Sequence, residues 1–240
     1  LEIKPQDIIL PGSDQLDEEG AHKIMFRVGN FCDEMLKTIY GLPAFYNFQT
    51  DQDTIGHIVV CLAPHTSAAI TGRIIGYSKT PGLFAHPLMH AATRRDCDGD
   101  EACVMLLMDV FLNFSRNYLP STRGGTMDAP LVLTTILTPA EVDDMAFDLD
   151  IAWNYPLELY EAATNYKAPW DVKIKQLKAT LHTEAQYEGM GFTHELGDMN
   201  DTVRCSAYKM LPSMEEKLKG QMDIAEKLRA VDTKDVARLV

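Results

Sequence analysis

Residues 94–101 constrain this chain more than any other stretch, because three aspartates stand there at alternate positions. One residue separates Asp96 from Asp98 and Asp98 from Asp100, and Gly99 lies inside the second pair. In extended backbone, alternate side chains point to the same side, so the three carboxylates can converge on one point. Carboxylates that close together repel one another unless a cation lies among them, and Mg²⁺ and Mn²⁺ prefer oxygen ligands. The pattern therefore predicts a divalent-cation site.

Other kinds of acidic segment fit this run less well. A helix-loop-helix calcium loop would need glycine where Glu101 stands and glutamate where Leu107 stands. A phosphatase with a nucleophilic aspartate would need an apolar strand running directly into Asp96, and residues 93–95 are polar. Short acidic runs most often form turns that are exposed to solvent. We favour the metal site because the apolar residues 102–119 follow, which we predict to be a buried helix.

The composition of the whole chain limits the classes of protein it can belong to. Its 240 residues, 46% of them hydrophobic, suffice for one large domain or two small ones. The net charge of −13 argues against a general nucleic-acid-binding surface. Five cysteines without a C-x-x-C pair predict reduced thiols in a cytosolic protein, and no charge-free apolar run is long enough for a membrane span. Because the chain begins without methionine, we expect a piece of a longer protein.

Hydrophobic periodicity and turn residues predict a mixture of helices and strands. A helix is predicted over residues 16–40, and Gly41 suits its C-terminal cap. Eight apolar positions fit its 3.6-residue period, namely Ile24, Met25, Val28, Phe31, Cys32, Met35, Leu36 and Ile39. Further helices are predicted at about residues 155–165, 171–187 and 213–231, and strands at residues 7–10, 56–64, 72–77 and 131–137.

Basic and glycine-rich positions near the acidic run are candidates for phosphate contacts. Arg94 and Arg95 directly precede it, and Arg123 opens an Arg-Gly-Gly run whose backbone N–H groups and charge suit a phosphate. His65 lies in a polar cluster between two predicted strands, where it is well placed to touch a ligand. An ordinary surface position is the alternative for each arginine and explains Arg123 nearly as well, and a capped turn explains the His65 cluster equally well.

Several motifs of the chain resemble one family when they are taken together. The longest are Ala63-Pro64-His65-Thr66-Ser67-Ala68, Arg94-Arg95-Asp96-Cys97-Asp98-Gly99-Asp100-Glu101 and Met127-Asp128-Ala129-Pro130-Leu131-Val132, with shorter ones at residues 72–76, 85–87, 90–92, 112–116, 123–125 and 155–158. They follow the family's order over almost the whole chain. The chain resembles the large subunit of the archaeal family D DNA polymerases.

The resemblance implies an α+β fold of the two-barrel polymerase type. In that fold one double-psi β-barrel supplies catalytic lysines and the other supplies metal-binding aspartates. The chain is similar to the aspartate barrel with inserted helices over residues 1–150, followed by a mostly helical accessory region over residues 151–240. The lysine barrel and the zinc-binding tail of the family are absent from the chain.

The resemblance also implies a function, which is DNA-directed DNA polymerisation in replication. Asp98 and Asp100 fall on the family's catalytic aspartates, which would bridge two Mg²⁺ (or Mn²⁺) ions about 3.5–4 Å apart. Asp96 stands where the family usually has asparagine, and it would be a third metal ligand. Arg94, Arg95, Arg123 and His65 would contact phosphates of the nucleotide or the nucleic acid.

The partners implied by the resemblance are primer-template DNA, dNTPs, a small proofreading exonuclease subunit and a sliding clamp reached through regions outside the chain. We expect a cytoplasmic, nucleoid-associated enzyme without a membrane partner, most of whose DNA contacts lie outside this acidic chain, and an isolated fragment that is inactive. Two alternatives stay open at this point. One is a non-catalytic scaffold of a replication complex, and the weaker one is a metal-dependent phosphohydrolase.

Overall fold

A computed structural model describes residues 4–12, 19–62, 68–93, 102–113, 132–134, 144–191, 193, 197–201, 211–227 and 232–239. The strands in these residues are β1 (Asp7–Pro11), β2 (Ile58–Leu62), β3 (Ala68–Ser78), β4 (Phe84–Ala85), β5 (Cys103–Leu106) and β6 (Val132–Thr134). The α-helices are α1 (Ala21–Thr38), α2 (Pro87–Thr93), α3 (Leu107–Asn113), α4 (Leu157–Thr164), α5 (Met214–Lys227) and α6 (Thr233–Leu239). No helix in the described part of the chain combines the length and the hydropathy needed to cross a membrane.

The six strands form one mixed sheet, so the chain belongs to the α+β class that its sequence predicts. The strand order is β4-β1-β3-β2-β5, and β6 also pairs with β3. The long strand β3 organises the sheet, because β1 and β6 run parallel to it while β2 runs antiparallel. A register shift between Ile8 and Ile9 in β1 marks a bulge in its pairing with β3.

The main hydrophobic core lies between α1 and the sheet. Met25, Cys32 and Leu36 are buried, as the helical period predicts. Three apolar residues of the same predicted helix, Ile24, Phe31 and Ile39, are instead exposed. The buried stripe of α1 is therefore narrower than its apolar composition suggests.

Both faces of β2 are covered from Val59 to Cys61, as its nearly continuous apolar sequence predicts, whereas Ile58 at its start is exposed. Val59 and Cys61 lie in the main core with α1, whereas Val60 lies in a separate cluster with Ala69 and Val110. Adjacent residues of a strand point to opposite faces, so the two clusters lie on opposite sides of the sheet.

A buried carboxylate fixes the loop that follows α1. Asp33 is 5% exposed, and its two oxygens accept hydrogen bonds from the backbone N–H groups of Phe45, Tyr46 and Asn47 at 2.6–2.9 Å. Asn47 has φ of +53°, which asparagine tolerates better than most residues. One side chain of α1 thus determines the path of a loop twelve to fourteen residues further along the chain.

The prediction of one buried helix over residues 102–119 is wrong in its first part. Cys103–Leu106 is strand β5, which pairs antiparallel with β2, and the helix α3 begins only at Leu107. Residues 114–119 lie outside the described part. A run that is apolar on all sides is compatible with a buried strand as well as with a helix, and the partner strand decides between them here.

The predicted helix over residues 171–187 is also wrong. The structure has short 3-10 turns at Pro169–Asp171, Leu177–Thr180 and Glu184–Gln186. Between the first two turns the chain is extended, and Gln176 forms an antiparallel bridge with Asp150. The helices predicted at residues 155–165 and 213–231 are found as α4 and α5, with shorter bounds.

A second hydrophobic cluster joins α2 to later parts of the chain. It contains Leu88 and Ala91 from α2 together with Phe147, Ile151 and Leu177. These residues come from both sides of the predicted boundary at residue 150. The division of the chain into two regions stays a prediction.

Candidate catalytic edge of the sheet

The ends of four strands meet at one edge of the sheet. Leu62, the last residue of β2, pairs with Ala69 of β3 on one side and with Cys103 of β5 on the other. Ala68, the first residue of β3, pairs with Val132, the first residue of β6. We call this the candidate catalytic edge, because three of the motifs found in the sequence connect to it.

Each of these motifs lies in a segment joined directly to one of the four strand ends. Residues 63–67 link Leu62 to Ala68, residues 94–101 precede β5, and residues 114–131 precede β6. All predicted site residues lie in these segments and therefore outside the described residues, namely His65, Arg94, Arg95, Asp96, Asp98, Asp100 and Arg123. In the ranges that the structure does describe, no group of three metal-binding side chains occurs.

Helix α2 directly precedes the acidic segment, residues 94–101, and its packing fixes where that segment begins. Leu88 and Ala91 are buried in the second cluster, whereas Met89 packs on the sheet over Gly72, where an added Cβ would lie 3.3 Å from the Met89 Cε. The helix is therefore packed on two sides. Its last residue, Thr93, is 2% exposed, and it directly precedes Arg94.

The side chain of His86 caps α2 and ties it to a distant loop. The Leu88 N–H donates to Nδ1 of His86 at 3.1 Å, so Nδ1 carries no proton. Nε2 therefore carries the proton of the neutral ring, and this N–H donates a hydrogen bond to the carbonyl oxygen of Tyr187 at 2.9 Å. Burial lowers the pKa of His86, outweighing the hydrogen bond to Tyr187, and so favours this neutral form. Both bonds of His86 therefore serve packing.

The strand that follows the acidic segment is held equally firmly. Leu106 of β5 is fully buried against β2, and α3 begins immediately after it. The Met108 N–H in the first turn of α3 donates to the Tyr46 hydroxyl at 3.0 Å. Burial raises the pKa of Tyr46 to about 12, so this hydroxyl stays protonated well above neutral pH. Both ends of residues 94–101 thus connect to well-packed elements.

Comparison with known proteins agrees with the resemblance found in the sequence. Residues 1–217 match the family model described as the catalytic domain of the DNA polymerase II large subunit DP2. The chain belongs to this family. The match covers most of the chain, including every element from β1 to α4.

The curated relatives of this family D segment are archaeal. The DNA polymerase II large subunits of Methanocella arvoryzae, Pyrococcus furiosus and Thermoplasma acidophilum are 50%, 48% and 46% identical to it over 241, 242 and 241 residues. These alignments cover 100% of the chain but only 21%, 19% and 22% of the respective relatives. The segment therefore spans about a fifth of the length of the relatives it matches.

Proposed function

We propose that this chain is the catalytic segment of a replicative DNA-directed DNA polymerase. The observation that carries the proposal is the strand register, because it joins the segments bearing the acidic run, the His65 cluster and the Arg123 run to one edge of the sheet. Family membership over residues 1–217 supports the same function.

Short tethers limit how far the proposed site residues can lie from this edge. Asp100 is three residues before Cys103, and His65 is three residues from both Leu62 and Ala68. Consecutive Cα atoms are 3.8 Å apart, so each of these residues stays within about 11 Å of a described strand end. Adjacent strands are about 5 Å apart, and convergence of the two segments on one substrate is therefore feasible.

The donor set fits a hard divalent cation. Asp98 and Asp100, with Asp96 as a third ligand, would supply carboxylate oxygens to Mg²⁺ or Mn²⁺. Such ions, when bound, lower the pKa of the primer 3′-hydroxyl and neutralise the triphosphate. Arg94 and Arg95 would orient phosphates of the incoming dNTP.

The role of the remaining candidates follows from their charge and their place in the chain. Arg123, in the Arg-Gly-Gly run before β6, would bind phosphate together with neighbouring backbone N–H groups. His65, between β2 and β3, would donate a hydrogen bond to a phosphate of the nucleotide or of the DNA. The segment of His65 joins the end of β2 to the start of β3, and the segment of Arg123 leads into β6, whose first residue pairs with that start of β3.

We further propose that the mixed sheet is part of a double-psi β-barrel and that residues 151–240 form an accessory region. The parallel pairing of β1 and β6 with the same strand β3, next to the antiparallel β2, requires crossover connections that a simple meander lacks, and this mixed pairing is compatible with the proposed barrel. The proposed partners are primer-template DNA, a small exonuclease subunit and a sliding clamp reached through other parts of the polypeptide. The proposed location is the nucleoid.

Primer extension by the full-length polymerase tests the proposed function. Asp98→Asn and Asp100→Asn should each abolish Mg²⁺-dependent extension while the assembled enzyme still binds primed template. Asp223→Asn is the matched control, because Asp223 is exposed on α5 and lies outside the three segments joined to the candidate catalytic edge, and it should extend like the wild type. Extension by both site variants at the wild-type rate would exclude the acidic run as the catalytic metal site.

A further inference from the structure

The segment between α4 and the second cluster has an unusual charge for this chain. Residues 165–178 contain four lysines and one aspartate, a net charge of +3, whereas the whole chain has a net charge of −13. Two aromatic residues, Tyr166 and Trp170, stand among the lysines. Interleaved lysines and aromatic rings are typical of surfaces that bind single-stranded nucleic acid.

Both aromatic rings face solvent. Tyr166 is 98% exposed and Trp170 is 84% exposed, more than any other large hydrophobic residue among those described. Isolated exposed apolar residues are common, but two rings of this size in one short segment leave a large unburied apolar area. The fold does not bury these two rings, so they are available for contact with an external partner.

The backbone at Tyr166 is strained without compensation from packing. Tyr166 has φ of +53° and directly follows the C-cap of α4, where its N–H donates to the Ala163 carbonyl at 3.1 Å. Glycine is the usual residue in this left-handed position, and a bulky side chain there costs conformational energy. A tyrosine that adopts this unfavourable conformation while its ring stays exposed is a candidate for a functional residue.

The backbone that carries these side chains is itself held in place. Pro169 begins a 3-10 turn around Trp170, and this turn packs against α4. At the far end of the segment, Leu177 is fully buried and its N–H donates to the Leu149 carbonyl at 3.0 Å. The exposed rings are therefore presented by an ordered support.

Two of the four lysines are available for a partner. Lys178 pairs with Asp148, and the Lys175 ammonium donates to the Gly189 carbonyl at 3.2 Å. Lys167 and Lys173 are exposed, and within the described residues their side-chain ammonium groups make no hydrogen bond or ion pair. Each lies within three residues of one of the two exposed rings.

We propose that residues 166–173 form a contact surface for single-stranded DNA, with bases stacking on Tyr166 and Trp170 and phosphates contacted by Lys167 and Lys173. Unpaired bases offer the ring faces that aromatic side chains stack on, and a duplex hides them. The lysines favour a nucleic acid over a purely apolar protein partner. Only the choice of DNA as the strand rests on the proposed polymerase function.

Equilibrium binding of fluorescent oligo(dT) to the full-length polymerase, without dNTP or divalent metal, tests the proposal. The double variant Tyr166→Gly, Trp170→Ala should raise the Kd for oligo(dT) at least about fivefold and leave the Kd for blunt duplex unchanged. Tyr40→Ala, which removes an exposed ring at the end of α1, is the matched control and should bind like the wild type. Replacing Lys167 and Lys173 by glutamine should reduce the slope of log K against log salt by about 1.4.

Folding and DNA contact can be separated in the same experiment. Tyr166→Gly relieves the left-handed strain, so its thermal stability should equal or exceed that of the wild type while oligo(dT) binding weakens. Oligonucleotides carrying 5-iododeoxyuridine should cross-link to Tyr166 or Trp170, as mapped by mass spectrometry.

Two results would overturn the proposal. One is an unchanged Kd together with cross-links that avoid both rings. The other is loss of subunit assembly in the aromatic variant with unchanged oligo(dT) binding, which would assign the surface to a protein partner. Asp98→Asn should bind oligo(dT) normally, so failure of this proposal and failure of the proposed catalytic site are distinguishable.

Discussion

Leu62 of β2 and Cys103 of β5 are paired across an antiparallel ladder, so the point where the chain leaves β2 lies beside the point where it later enters β5. Residues 63–67 begin at the first point, and the acidic segment ends beside the second. Motifs that are far apart in the sequence are thereby attached to one edge of the sheet. This pairing also links the candidate site to folding, because Leu106 at the other end of β5 is buried in the main core.

Replacing Gly29 in α1 should destabilise the helix, although alanine is the better helix former. A Cβ at Gly29 would overlap the buried ring of Phe48. We expect Gly29→Ala to lower the local opening free energy of α1 by about 1–3 kcal/mol, measured by hydrogen exchange of the full-length protein.

Gly220→Ala in α5 is the matched control for this substitution. The nearest atom to its added Cβ is Leu211 Cδ1 at 3.7 Å, an ordinary contact. The same change there should stabilise α5 by about 0.5–1 kcal/mol through helix propensity. Equal effects at the two glycines would contradict the packing of Phe48 on α1.

Asp33 should control the protection of three amides in the loop after α1. Asp33→Ala removes the acceptor of all three, and we expect their exchange to accelerate by about 10- to 100-fold. Asp33→Asn is the sharper test, because Oδ1 accepts from Phe45 and Tyr46 whereas Oδ2 accepts from Asn47. Its amide group can keep the first two bonds but not the third. Only the Asn47 amide should then lose protection, and uniform loss would argue against this geometry.

The stability of α2 should fall as the pH drops below about 6.5. The pKa of folded His86 lies below its ordinary value of 6.5, so the unfolded chain binds more protons in this range. The stabilisation is therefore complete above pH 6.5 and is lost as the pH falls toward the folded-state pKa. The pKa of His90 is lowered in the same direction, by burial and by His86.

Replacing His86 by asparagine isolates its share of this pH dependence. An asparagine side chain can still accept the Leu88 N–H but does not titrate. Between pH 7.5 and 5.5 the thermal midpoint should fall less for His86→Asn than for the wild type. His182→Asn is the control, because His182 has φ of +64°, which asparagine tolerates, and is exposed. An identical pH dependence in wild type and His86→Asn would show that His86 does not contribute.

Sequence patterns predicted the central strands and α1 but not the extended segment after Trp170. Val59 to Cys61 are apolar without alternation, which signals a strand covered on both faces. Val172, Ile174 and Leu177 are compatible with a helical face in isolation. In the structure the backbone of this segment is extended instead. It is held by a hydrogen bond from the Ile151 N–H to the Lys175 carbonyl and by the bridge between Gln176 and Asp150. Such non-local pairing leaves little trace in a single sequence.

The sequence predicts which chemical groups the candidate site contains, but it does not predict which strands bring them together. The spacing of Asp96, Asp98 and Asp100 indicates a cation site without any structure. Nothing in the sequence indicates that Leu62 pairs with Cys103, because the strand β5 resembles the start of a helix. The lysines around Trp170 are also visible in the sequence, but no pattern there indicates that the rings of Tyr166 and Trp170 face solvent.

The most direct test of the account is cleavage by hydroxyl radicals generated at bound Fe²⁺ in the full-length polymerase. Fe²⁺ can occupy an oxygen-rich Mg²⁺ site, and radicals formed there cut nearby backbone. We predict cuts within residues 63–67, 94–101 and 114–131, suppressed by excess Mg²⁺. These cuts should disappear in the double variant Asp98→Asn, Asp100→Asn and persist in Asp223→Asn. Cuts that survive the double variant, or that avoid these three segments, would contradict a metal site at this edge of the sheet.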